Sequence, residues 1–331
     1  MNINTFLKEL VQSKPEFTPT PEDKKTIEFE GIEKFIYNKL NSSIYKASSI
    51  TPDYLVKIKD KIHLCINHEV PIHVSIPFGS VKVSTLPTAP GIDWAEVFNL
   101  TLVREYLTPI AKMYKYGVKL DYISVAIFEE EMNYFSQKDI ALYETEFKKL
   151  VDIFCTYLPD NFEINFIRVA DLVPKEKTLR MINIKVDELR NNWMKNSEEV
   201  RNTKIMRAKR NCCLKPTDKD YDKRILRSIF VHDAFCSECW TLDYAPWDKK
   251  DMITLGYRYT DGWAVHIRSA RASTVNFWSG MGALLKNNDI LIPTILSFKQ
   301  YESHKKNIQM EKVDVFNQSF KNLSQVPVVN Q

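Results

Sequence analysis

Between residues 71 and 77 apolar and polar side chains alternate, with Ile72, Val74 and Ile76 set against His73 and Ser75. A period of two predicts a strand. Asp93, with Glu96 three residues on, has the spacing of a capping box, and Val97, Leu100, Val103, Leu107, Ile110 and Met113 then recur at helical intervals. That predicts a helix over 94–114, kinked at Pro109. Leu120, Tyr122, Ile123, Val125 and Ile127 predict a strand over 119–128. Leu142, Tyr143, Phe147, Leu150, Val151 and Phe154 form the stripe of a helix over 138–158, and a strand follows over 162–167. Strand, helix, strand, helix, strand is the pattern of a parallel sheet covered by helices, and right-handed crossovers make it Rossmann-like.

The flanks are less regular. Residues 1–26 contain Pro15, Pro19 and Pro21, which predict an extended arm after one or two helical turns. A helix is predicted over 27–40. Residues 187–227 are polar and basic, with helices broken near Pro216. Strands are predicted over 262–267, 273–285 and 289–298, and the tail from about residue 311 as a loosely packed segment. The chain is thus expected to be α/β. It divides into an N-terminal arm and helix (1–60), a Rossmann-like core (61–170), a basic helical segment (171–230) and a strand-rich C-terminal part completing the core (231–331).

Composition narrows the function classes. With 331 residues and 44% hydrophobic content, the chain has ample material for a core without staples. A net charge of +4 is too small for a dedicated nucleic-acid binder. No stretch approaches the roughly 20 apolar residues of a membrane span, and the N-terminus lacks the pattern of a signal peptide, so a cytoplasmic protein is expected. Six cysteines are too sparse for a disulfide scaffold. Only eight glycines occur, and neither G-x-G-x-x-G nor G-x-x-x-x-G-K-[ST] is present, so no nucleotide cofactor is expected.

Four constellations carry candidate chemistry. Ser80 and Lys82 follow the first strand, where ligands of open α/β sheets collect, and Lys82 is suited to an anion; the plain alternative is a solvated surface lysine. Glu129-Glu130-Glu131 follows the second strand, and one of the three, represented by Glu129, would bind an amine or act as a base; the alternative is a solvated acidic turn. His232, Cys236 and Cys239 invite a zinc reading, but a fourth ligand is missing and i, i+4, i+7 is one helical face, so a buried stripe with no metal is preferred. His232 is kept as a candidate acid or base. Around residues 263–278, alternation puts His266 and Arg268 on one face, and Arg268 and Arg271 are suited to carboxylates or phosphates; the alternative is an exposed basic edge.

Residues 68–150 resemble the isocyanide synthase family, the pyoverdine and dityrosine biosynthesis proteins. The match runs through Pro71-Ile72-His73-Val74-Ser75-Ile76-Pro77-Phe78, Lys82, Pro90, Glu96, Leu100, Ile110, Tyr114, Gly117 and the strand over 119–128. A second match is Val265-His266-Ile267-Arg268-Ser269. The family's Ser-Asp-Gly stands here as Ser124-Val125-Ala126, the His closing its late strand is replaced by the neighbourhood of Ala270-Arg271, and its late Pro-Trp-His by Ile292-Pro293-Thr294. The resemblance implies an enzyme that modifies an amino acid with an anionic cosubstrate, in the family ribulose 5-phosphate, to make an isonitrile.

Three readings follow. The first is an isocyanide-synthase-like biosynthetic enzyme in which Lys82, Arg268 and Arg271 converge on anions and an acid near Glu129 holds the amine. The second is a transferase using aminoacyl-tRNA, contacted by the basic segment and marked by steep salt dependence; it is not favoured. The third is a small-molecule binding protein that kept the sheet without the chemistry. The sequence identifies neither the amino acid, nor the cosubstrate, nor the oligomeric state.

Overall fold

The computed structural model describes residues 2–238, 251–257 and 264–330. Its centre is a five-stranded, wholly parallel sheet built from β1 (Ile72–Phe78), β2 (Val118–Ser124), β3 (Phe162–Arg168), β4 (Met252–Gly256) and β5 (Val265–His266), in the order β3-β2-β1-β4-β5. Ile72 pairs with Val118, and Val118 with Phe162. This is the order of a doubly wound sheet: the chain builds outward from β1 to β3, then returns to lay β4 and β5 on the other side of β1. The α/β, Rossmann-like expectation holds.

Alternation in β1 has a clear consequence. Ile72, Val74, Ile76 and Phe78 enter the main core with Leu120 and Tyr122 of β2 and the stripe of the crossover helix α7 (Gln137–Cys155). The other parity is polar: His73 Nε2 lies 2.6 Å from Asp121 Oδ2, and Asn165 donates to Asp121 at 3.1 Å. Leu142, counted in the helical stripe, is instead 42% exposed.

The first crossover, α5 (Trp94–Met113), starts with the expected capping box of Asp93 and Glu96 and runs through Pro109 as one helix. It also carries the rest of the fold. A second sheet of β6 (Gly280–Asn287), β7 (Ile290–Ser297), β8 (Ile308–Lys312) and β9 (Gln325–Asn330), ordered β7-β6-β9-β8, docks on its first turn. Gly282 N–H donates to Asp93 Oδ1 at 3.1 Å, and Trp94 Nε1 donates to Gln325 O at 2.8 Å. A Cβ on Gly282 would fall 2.1 Å from Ala95 N, so no side chain fits there. The helix's Arg104 donates to the carbonyls of Val11 and Leu10 at 2.8 and 2.7 Å, supplying the end of helix α1 (Ile3–Gln12) with partners for its last carbonyls.

Several expectations are corrected. Pro21 opens a helix rather than extending the arm: α2 (Pro21–Glu30) is capped by Thr20 and Asp23, and Gly31 at φ 87° separates it from α3 (Ile32–Leu40). The helix α4 (Pro52–Asn67) and the strand β4 are additional. The strand over 119–128 stops at Ser124; a 3-10 turn and α6 (Glu129–Asn133) follow, so the acidic triple lies on a helix. The expected strand over 273–285 is replaced in its first part by a bend and a 3-10 turn over Phe277–Ser279, and β6 begins only at Gly280. The tail is not loose: β9 is buried at Val326, Val328 and Val329 and sits between two strands. The basic stretch forms α9 (Lys175–Asn192), α10 (Glu198–Asn211) and α11 (Tyr221–Glu238), preceded by the short α8 (Val169–Leu172). The helix α12 (Phe298–His304) follows β7. No helix among the described residues is long and apolar enough to cross a membrane.

Candidate functional site

A cavity of about 1270 Å³ opens at the carboxyl ends of β1, β4 and β5. Its floor is Pro77, Phe78 and Gly79 after β1, Val125 after β2, Gly256 and Tyr257 at β4, and His266 of β5. Here the chain's direction of winding reverses, leaving the crevice between β1 and β4 free of a covering crossover. The helices α6, α10, α11 and α12 and the segment over 274–279 add to the wall.

The apolar part is held by a cluster of rings tilted against one another. Phe78 lies 4.9 Å from Phe147, 5.3 Å from Phe277 and 6.2 Å from Trp278, centre to centre. Tyr122 and Tyr257 both donate to Asn99 Oδ1 at 3.0 Å, and burial pushes both phenols up. Gly79 lets Trp278 and Glu129 approach the floor: a Cβ there would sit 2.7 Å from Trp278 Nε1 and 3.2 Å from Glu129 Oε1.

Polar groups converge from separate elements. Glu129 is buried in the wall, and its Oε2 accepts from Asn133 Nδ2 at 2.6 Å, one helical turn on. His266 enters from β5, and His232 and Cys236 from the last turns of α11. Arg210 and Asn211 reach the wall from the end of α10, and Lys299 from α12; both cations are exposed. Behind His232, Asp233 accepts from Lys204 Nζ at 2.6 Å and Arg207 at 3.2 Å and lies 3.5 Å from His232 Nδ1. Burial pushes the Asp233 carboxyl up, but hydrogen bonds from His232 and Lys204 outweigh it and bring it down to about 2.

The expected residues divide between the cavity and elsewhere. Glu129, His232 and His266 are brought together; Glu130 and Glu131 are not, being paired with Lys175 and Arg227. Lys82 is not in the wall. It is fully buried, and its ammonium donates to Glu96 Oε1 and Oε2 at 2.7 and 2.9 Å and to the carbonyls of Phe277 and Gly280 at 2.9 and 3.0 Å. Asp93 Oδ1 lies 3.3 Å away. A lysine with two carboxylates beside it has no charge left for a ligand; it ties the turn over 277–280 to the start of α5. Burial pushes the Glu96 carboxyl up, against the pull of Lys82. Ser80 is likewise buried, sharing a short hydrogen bond with Ser124, which in turn donates to Glu144.

The predicted convergence of Lys82 and Arg268 therefore fails. Arg268 lies beyond the two-residue β5, its N–H bonded to Tyr45 O, and its side chain is not part of the cavity wall. Arg271 pairs with Glu105 and lies over the Tyr45 ring at 5.7 Å, away from the cavity. His232 and Cys236 share one helical face, but Cys236 is exposed rather than part of a buried stripe, and Cys239 lies outside the described residues. Among those residues no group of His, Cys, Asp and Glu is placed to hold a metal. Sequence reasoning missed Lys299 and Trp278 as wall residues and singled out no member of the basic segment. Arg210 ends a helix beside Asn211, and nothing local distinguished it from Lys204 or Arg207.

No family model matches the chain. No curated protein matches it either. Among solved structures it is similar to the crystal structure of the PvcA protein from Pseudomonas aeruginosa, with a TM-score of 0.63 and 13% identity over 90% of this chain and 99% of that one. At that identity the likeness shows a shared fold.

Proposed function

We propose that the chain is an isocyanide-synthase-like biosynthetic enzyme that modifies an amino acid with an anionic cosubstrate, and that the crevice between β1 and β4 is its active site. The observation that carries this reading is the cavity's charge layout: a buried carboxylate, Glu129, in a wall whose described cations, Arg210 and Lys299, stand at the exposed rim. An amine bound at Glu129 and an anionic group bound at Arg210 and Lys299 would meet over the apolar floor of Phe78 and Trp278. The residue-level resemblance to isocyanide synthases and the fold shared with PvcA support the same reading.

The chain's residues then take distinct roles. Glu129 holds the amine and is within reach to accept its proton. His232 and His266 are the imidazoles available for proton transfer across the cavity. Lys82 acts indirectly, by fixing the turn that carries Trp278. Saturation-transfer NMR with a pool of amino acids and with ribulose 5-phosphate tests the layout. An ion-assisted hydrogen bond contributes about 1.5–3 kcal/mol, so Glu129→Gln should weaken amino-acid binding roughly tenfold or more, and Arg210→Ala should do the same for the phosphate. Binding of both ligands unchanged by both substitutions would place the site elsewhere.

A further inference from the structure

The cavity holds a thiol that the roles above leave unused. Cys236 is exposed in the wall, and its Sγ lies 3.7 Å from Nδ1 of His232, one helical turn earlier on α11. The same Nδ1 lies 3.5 Å from Asp233, whose carboxylate is clamped between Lys204 at 2.6 Å and Arg207 at 3.2 Å. Two cations hold that carboxylate in place and ionised, and an ionised carboxylate beside an imidazole favours its protonated form. A protonated imidazole beside a thiol in turn favours the thiolate. Other described cysteines are differently placed. Cys65 and Cys155 each donate to a backbone carbonyl, Cys212 is buried against Ser228, and Cys213 is exposed but outside the cavity.

We propose that Cys236 and His232 form a thiolate–imidazolium pair in the cavity wall that adds reversibly to the carbonyl carbon of a small anionic aldehyde or ketone. The proposal rests on the cavity's being the ligand site and extends it with a covalent foothold. The thiolate sulfur supplies the electron pair of the new S–C bond. The carbonyl π pair moves to oxygen, and that oxygen takes the proton from the His232 imidazolium, leaving neutral imidazole and a thiohemiacetal. Reversal returns the proton and frees the carbonyl, so no oxidant or reductant takes part. Arg210 and Asn211, on the neighbouring helix and in the same wall, are the groups to receive the ligand's anionic end.

Alkylation of the full chain with iodoacetamide at pH 7, followed by peptide mass mapping, tests this directly, with Cys213 as the internal reference. An ordinary thiol is only a few per cent ionised at that pH, so Cys236 should react at least about tenfold faster than Cys213. The advantage should fall to roughly that of Cys213 in His232→Ala. Glyceraldehyde 3-phosphate should protect Cys236, whereas glycerol 3-phosphate, which has no carbonyl, should not at equal concentration. Cys236 reacting no faster than Cys213 overturns the proposal, as does equal protection by the two phosphates. Both results are read on the wild-type chain, so they stand even where His232→Ala does not fold. Labelling is also independent of Glu129: fast, carbonyl-protected alkylation with Glu129→Gln binding its amino acid normally would sink the amine assignment alone.

Discussion

Replacing Lys82 by alanine strips the compensating charge from two carboxylates in a site closed to solvent. Lys82 and Glu96 are wholly buried and Asp93 nearly so, and the ammonium also holds the carbonyls of Phe277 and Gly280. Breaking a buried pair by removing one partner costs about 3–5 kcal/mol, because the remaining charge is left in low dielectric. For a chain of this size each kcal/mol moves the melting temperature by roughly 2 °C, so Lys82→Ala should melt about 6–10 °C lower. Differential scanning calorimetry at neutral pH reads that shift. The cost should be largely relieved in the double variant Lys82→Met with Glu96→Gln, which removes both members of the pair and leaves Asp93 to its cap of α5. A lysine that faced a ligand would instead lower binding and leave the melting temperature in place. An Lys82→Ala variant melting within about 1 °C of the wild type would refute the clasp.

Other consequences follow from the packing and the charges. Gly282→Ala would drive a methyl group against the backbone of Trp94 and Ala95, and should cost at least the roughly 1–3 kcal/mol of an overpacked core, read by urea denaturation. The Asp233 carboxyl is held at about 2 in the fold against 3.8 outside it. Its stabilisation is therefore fully present above about pH 4 and is lost as the pH falls toward 2. It is on the order of 2 kcal/mol, so Asp233→Asn should be less stable than the wild type at pH 6 and converge with it near pH 2. A difference that stayed constant over that range would contradict the assignment.

What was legible in the sequence was whatever short-range pattern dictates. The period of two in Ile72–Val74–Ile76 and the capping residues Asp93 and Glu96 place β1, α5 and hence the carboxyl end where the cavity forms. The strand β4 was not read, although it is the neighbour that creates the crevice: its run Met252–Gly256 is short and buried throughout, with no alternation to betray it. The tail misled for a related reason, since β9 is short and gains its burial only from pairing with β6 and β8. Candidate residues on a predicted helix or strand edge, Glu129, His232 and His266, arrived at the cavity. Lys82 did not: its partner Glu96 was read as a helix cap and as a residue of the family match, and nothing local shows that a capping carboxylate also holds a buried ammonium. Arg271 was spent on Glu105, a pairing across 166 residues that no local pattern encodes.

The central claim is that the crevice between β1 and β4 converts an amino acid, with Glu129 at the amine. It is tested most directly by liquid chromatography and mass spectrometry of the purified chain incubated with pooled amino acids and ribulose 5-phosphate. The expected result is one amino acid whose amine is replaced by an isocyanide in the wild-type reaction, with the product at least about a hundredfold lower for Glu129→Gln, the loss typical of a positioned acid or base. An isocyanide formed equally well by Glu129→Gln, or no amino acid changed by the wild type, would contradict it.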